Sequence, residues 1–190
     1  VMIIGYAGGG TRNIIANKPV RNMAELRGLT MRVMGAPIQT QMFSAIGAKP
    51  SVIAYNEVYN AIQTGVIQGA ENEAAGLAAM KFYEVGPNIS QTQHAITVRP
   101  ICFSAKTYRK LPPDLQTAIL KAGLEAGKLG RQIESSEDAA LLATLAKEGK
   151  LKLWTFTERP KLLELAEPVK QEYAKEIDAT AILNKVNAIK

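Results

Sequence analysis

The chain contains one cysteine, one histidine and one tryptophan in 190 residues, and only 6% of its residues are aromatic. A single thiol excludes an intrachain disulfide and leaves the redox compartment unreadable from cysteine usage. Cys102 lies in the apolar run Ile101-Cys102-Phe103, which marks it as a buried structural thiol rather than a nucleophile. No His/Cys spacing of a metal centre is present, no nucleophile elbow, and no carboxylate pair beside the histidine, so catalytic chemistry has no visible foothold. No apolar run approaches the ~18 residues of a membrane-spanning helix.

Acidic residues are the minority, 17 against 23 Lys and Arg, for a net charge of +6. The basic residues are dispersed; only Lys18/Arg21/Arg27 and Lys147/Lys150/Lys152 cluster loosely, without the concentrated face of a nucleic-acid binder. A positive excess suits a small anionic ligand instead.

What is present alternates. Strand and helix signals succeed one another through the first hundred residues, which indicates an α/β layer architecture. Val1 to Tyr6 reads as a strand ending in a flexible loop, Ala7-Gly8-Gly9-Gly10-Thr11-Arg12, that is not a phosphate loop because no Gly-Lys-Ser/Thr follows. Asn22 and Glu25 form an N-cap and partial capping box for a short helix. A strand over 29–34 and a helix from Pro37 to Ile46 come next, then a short strand over 51–54. Tyr55, Val58, Tyr59 and Ile62 recur at helical spacing, with Gly65 as the stop. A helix from Glu73 to Val85 and two strands, Gln93 to Val98 and Ile101 to Ser104, complete this half.

The second half changes character. Asp114 to Gly149 contains no proline and keeps helical spacing through Leu115, Ile119, Ala122, Ala126, Leu129 and Ile133. Gly123, Gly127 and Gly130 weaken this helix intrinsically but permit close packing or a bend. A strand from Leu151 to Trp154 and two helices follow, the first with Thr157 as its expected N-cap.

One residue in the first half is out of place. Arg32 sits inside the apolar strand Leu29-Thr30-Met31-Arg32-Val33-Met34. Burying a guanidinium costs several kcal/mol unless an anion or hydrogen-bond partners meet it. Arg32 therefore either snorkels from an edge strand or holds an anion.

The order of three segments decides how these pieces are read: "GTRNIIANKPVRNMAELRGLTMRV", then "IGAKPSVIAYNEVYNAIQTGVIQGAEN", then "KFYEVGPNISQTQHAITVRPICFSAKTYRKLPPDLQTAI". This order resembles the solute-binding proteins of tripartite ATP-independent periplasmic (TRAP) transporters, of the DctP type, over essentially the whole chain. The resemblance implies a two-lobed α/β fold around a cleft, as in periplasmic binding proteins. This chain, opening on Val1-Met2-Ile3-Ile4 as if a strand were under way, would carry mainly the second lobe. On that division, 1–98 form most of the second lobe and 99–112 a return strand toward the first. Residues 113–149 form a long interlobe helix, and 150–190 the final strand and helices.

The resemblance also implies roles. Arg32 matches the arginine that makes a bidentate salt bridge with the ligand carboxylate, chemistry to which a planar guanidinium is suited. Arg12 matches a second arginine of the cleft, with plain surface charge as its alternative. Asn72 matches a ligand-binding asparagine but could cap the helix that follows. Tyr55 stands at an aromatic cleft-wall position, or in the core. Arg99 lies where relatives contact the distal part of a ligand, and His94 reads as a hydrogen-bonded structural residue. Gln68 and Glu73 depart from the family pattern, which usually has aspartate and proline there. The implied function is capture of a small organic carboxylate, such as a sugar acid, in the bacterial periplasm. Delivery would be to the membrane permease subunits of a TRAP transporter, with no catalysis, cofactor, metal or nucleic acid. An α/β enzyme acting on an acidic small molecule and the sensing domain of a regulator remain as alternatives. An apolar face on the long helix would favour a homodimer or domain swap if no further lobe covers it.

Overall fold

The computed structural model describes residues 1–189. Six strands form one mixed sheet in the order β3-β2-β4-β1-β5-β6. They are β1 (Met2–Ala16), β2 (Thr30–Val33), β3 (Lys49–Val52), β4 (Gly69–Asn72), β5 (Asn88–Phe103) and β6 (Lys152–Thr155). β2 runs parallel to β3 and β4, and β5 parallel to β6; β1, near the middle, is antiparallel to both its neighbours.

Alternation along β1 builds two cores. Ile15 points to one face and joins Val58, Ile62, Ile67, Leu77, Phe82, Ile89 and Leu142. Ile14 points to the other and joins Val20, Leu26, Met31, Val33, Phe43 and Leu162. A period-2 strand with apolar residues on both faces must be covered on both, and helices supply the cover. These are α1 (Met23–Leu26), α2 (Pro37–Ala45), α3 (Val58–Gln63), α4 (Ala74–Ala79), α5 (Ala105–Tyr108), α6 (Pro113–Lys147), α7 (Arg159–Glu176) and α8 (Thr180–Asn187).

Several local readings are corrected. The glycine-rich segment 7–12 is not a loop but part of the continuous β1. Its backbone is paired by β5, and the extra residues are absorbed in a register shift between Gly8 and Thr11, with Gly8 and Gly9 at positive φ. The two strands expected around Pro100 are a single strand, β5. Because β6 covers only Asn88–Gln91, Pro100 falls on a stretch with an open edge, where proline is tolerated. The helix expected over 73–85 ends at Ala79: Lys81 turns left-handed at φ 52 and a short 3-10 turn follows. Thr157 is not the N-cap of α7, which is Glu158; its hydroxyl donates to the Arg21 carbonyl instead. Cys102 is exposed, because its stretch of β5 lies beyond both cores. Asn22 does cap α1, accepting from the Glu25 N–H, while the Glu25 carboxylate accepts from the Arg21 N–H rather than from the cap itself.

α6 is about 50 Å long at 1.5 Å per residue. It lies on the N-terminal half of β1 through its glycines. A Cβ on Gly123 would stand 2.6 Å from the Ile4 carbonyl oxygen, and one on Gly127 2.5 Å from that of Tyr6. Alanine normally stabilises a helix interior by about 1 kcal/mol over glycine. Gly127→Ala is nevertheless expected to destabilise the protein by about 1–3 kcal/mol, since backbone meets backbone here and neither can yield. A denaturant midpoint for the variant at or above that of the parent would show the seam to be slack.

Candidate functional site

The five residues singled out by the sequence come from β1 (Arg12), β2 (Arg32), the turn before α3 (Tyr55), β4 (Asn72) and β5 (Arg99). Arg32 is 6% exposed. Its Nε donates to the Ile53 carbonyl at 2.9 Å, and its guanidinium carbon stands 5.5 Å from the centre of the Tyr55 ring. Tyr55 is not a core residue: it is 41% exposed, its ring edge against Phe82 and its hydroxyl accepting from the Asn72 amide at 2.9 Å. Asn72 is buried and does not act as the cap of α4. That position belongs to Glu73, whose N–H the Asn72 side-chain oxygen accepts at 3.0 Å. Gly76 makes room for this amide, since a Cβ there would lie 2.4 Å from its nitrogen. Arg32, Tyr55 and Asn72 thus form one contiguous cluster, of which Tyr55 is the exposed member.

Arg12 and Arg99 belong to a different arrangement. Arg12 is held by Glu71, whose Oε1 accepts from Nη2 at 2.9 Å and whose Oε2 accepts from Nε, and by Glu73 at 2.7 Å from Nη1. Arg99, about half exposed, pairs with Glu73 through Nη2 and with Glu134 of α6 at 3.2 Å. His94 completes the buried end. A carboxylate can only accept, so the His94 Nε2 donates to Glu71 at 3.4 Å, leaving Nδ1 to accept from the Thr92 hydroxyl at 2.8 Å. Gln93, left-handed at φ 45, bulges β5 beside this histidine. Burial pushes the Glu71 carboxyl up, but the hydrogen bonds from His94 and Arg12 outweigh it and hold the group at about 2. Burial also acts against the charges of Arg12 and Arg99, and there the carboxylates win and raise both. For Arg32 burial wins: its pKa is lowered, with distant help from Glu71 too weak to compensate. Among the described residues no carboxylate lies within ion-pair distance of Arg32.

Sequence reasoning missed Glu71, Glu134 and Asp138. Asp138 of α6 accepts from the Ala74 N–H at 2.9 Å and the Thr11 N–H at 3.3 Å, tying the start of α4 to β1. Burial pushes its carboxyl up. Glu71, at 2% exposure inside a strand, had the same anomaly as Arg32 and could have been found by it.

A family model, bacterial extracellular solute-binding protein, family 7 (DctP), matches residues 1–177. The chain belongs to this family. A solute-binding protein of Sulfitobacter sp. is 54% identical over 188 residues, 99% of this chain and 57% of its own. The C4-dicarboxylate-binding periplasmic protein DctP of Vibrio cholerae is 30% identical over 91% of the chain and 52% of its own length. Among solved structures, a TRAP periplasmic solute-binding protein from Sulfitobacter sp. with bound α-D-taluronate superposes with a TM-score of 0.95. It is 55% identical, covering 97% of this chain and 60% of that one. A homologue from Roseobacter denitrificans with bound β-D-glucuronate reaches 0.90 at 27% identity, covering 100% and 63%. The α/β class expected from the sequence is that of these TRAP proteins. This DctP-family chain spans between 52% and 63% of the length of the relatives just named.

Proposed function

We propose that this DctP-family chain is part of a periplasmic solute-binding protein that captures a hexuronate or similar hydroxylated monocarboxylate and passes it to the permease of a TRAP transporter. It does so without catalysis. The observation that carries this reading is the contrast among three arginines. Arg12 and Arg99 are matched by the protein's own carboxylates, whereas Arg32 is buried with none. With Nε tied to Ile53, the Nη1–Nη2 edge is the one offered to a ligand carboxylate, two parallel donors for two oxygens. Tyr55 forms a wall on which the apolar face of a sugar ring rests, and the Asn72 amide adds a donor. The sugar acids bound to the structural relatives, taluronate and glucuronate, are of this chemical class. Residues 1–98 and 150–190 then belong mainly to one lobe, with 99–112 returning toward a second and α6 along both. Closure of the lobes buries the ion pair and strengthens it.

Titration calorimetry of the full-length protein with D-taluronate, D-galacturonate, D-glucuronate and succinate tests the reading. Saturable binding of at least one hexuronate, recovered chemically unchanged by NMR, is the expected result. Turnover would make the protein an enzyme, and failure of every acid to bind would remove the carboxylate assignment. Asn72→Ala is expected to cost about 1.5–3 kcal/mol of affinity, the worth of one hydrogen bond to a charged group. The variant should still fold, its melting temperature only a few degrees lower for the loss of the acceptor that serves the Glu73 N–H. Normal binding with a large loss of melting temperature would leave Asn72 a purely structural residue.

A further inference from the structure

Arg12 and Arg99, with Gln39 and Thr97, line a cavity of about 570 Å³. Met34, two residues past Arg32 at the end of β2, lines the same cavity, and Arg12 of its wall precedes Asn13, the β1 residue paired with Asn72, so this cavity adjoins the proposed carboxylate site. Two guanidiniums on one wall would suit a second carboxylate. Here their charge is already matched. Glu73, its side chain 4% exposed, accepts from Arg12 at 2.7 Å and from the Thr97 hydroxyl at 3.0 Å with one oxygen, and pairs with Arg99 through the other. Glu71 also holds Nε and Nη2 of Arg12, and Glu134 accepts from the Nε of Arg99. Three carboxylates against two cations leave the wall with no net positive charge to offer. A ligand carboxylate entering it would lose hydration without gaining a counter-ion. Gln39 points the same way chemically: among the described residues its side-chain oxygen is buried without a hydrogen-bond donor. A ligand hydroxyl can donate to such an oxygen, and an ionised carboxylate cannot.

We propose that Glu73 is a specificity-determining residue: by matching Arg12 and Arg99 it makes the cavity beside Arg32 admit the neutral, hydroxylated end of a sugar acid and reject a second carboxylate. The proposal rests on the monocarboxylate reading above. It turns a departure from the family pattern, glutamate where proline is usual, into a filter against dicarboxylates.

The test is the ratio of dissociation constants for galactarate and D-galacturonate, measured by calorimetry on the full-length protein, Glu73→Gln and Glu134→Gln. The parent is expected to favour galacturonate at least tenfold. Part of that preference reflects the open-chain form of galactarate, but this contributes equally to every variant, so the change between variants reads the charge. Glu73→Gln should shrink the ratio at least fivefold, because galactarate binding gains relative to that of galacturonate. Glu134→Gln, at a partly exposed site, should shrink it in the same direction and decides the matter if Glu73→Gln does not fold. Equal binding of the two acids by the parent overturns the proposal, as does an unchanged ratio in the variants that fold. Failure of the parent to bind any monocarboxylate sugar acid would instead overturn the functional reading, and the filter with it.

Discussion

Arg32→Ala is expected to weaken hexuronate binding about a hundredfold or more, and Arg32→Lys at least tenfold. Truncating one partner of a buried, hydrogen-bonded charge pair costs about 2–5 kcal/mol, part of it the penalty of leaving the other charge buried alone. Lysine keeps the charge but is a point donor on a flexible stem. It cannot make two parallel bonds while also satisfying the Ile53 carbonyl that Arg32 Nε serves. The alanine variant should fold and melt near or above the parent temperature, because burial of Arg32 is opposed by desolvation in the unliganded protein. Calorimetric titration checks the affinity and differential scanning the stability. Unchanged affinity for the lysine variant would take Arg32 out of the site.

The second large effect concerns stability. Glu71→Ala leaves Arg12 buried with only Glu73 to answer it, and breaking a buried pair from one side costs about 3–5 kcal/mol. In a chain of this length that lowers the melting temperature on the order of 10 °C. The same carboxylate sets an acid limit. Glu71 titrates at about 2 in the folded protein against an ordinary value of 4.5, so it binds its proton more readily in the unfolded chain. Its contribution is complete above pH ~4.5 and disappears as pH falls toward 2, on the order of 3 kcal/mol in all. Thermal melts of the parent should therefore drop between pH 4.5 and 2, and those of Glu71→Gln should be flatter across that window. Parallel pH profiles for the two proteins would assign the acid sensitivity to other groups.

Much of the fold was legible in the residues because local signals agreed with the tertiary result. Pro37 opens α2, Asn22 caps α1, Gly65 ends α3 at φ +77, and the proline-free run after Pro113 is one helix. What was illegible depended on partners remote in sequence. Gly8-Gly9-Gly10 reads locally as a loop and becomes strand only because β5 pairs it and α6 presses on it. Pro100 reads as a break and is carried by an open edge. Cys102 reads as core because its neighbours are apolar, but apolar neighbours do not say how far a strand extends beyond the layers that cover it. The site divides in the same way. Arg32 was conspicuous as a charge without local explanation. The matching of Arg12 and Arg99 was not, because it draws on Glu71, Glu73 and Glu134 from β4, its end, and α6. Glu73 was visible as an irregularity in a motif, and only its hydrogen bonds gave the irregularity a chemical meaning.

The central place of β1 has a consequence for the order of assembly. The strand synthesised earliest in this chain is one that cannot pair until much later sequence exists: β4 ends at Asn72, β5 at Phe103, and the glycines that clasp its first half lie at 123 and 127. A growing polypeptide can close the β2–α2–β3 unit from neighbouring residues, but the fifteen residues of β1 keep both edges open until β4 and β5 exist. Contacts this distant along the chain make loop closure the slow event, and folding times in the range of other non-local sheet topologies follow. Until β4 and β5 have been made, the parallel β2–β3 pair can form but the sheet cannot close around β1.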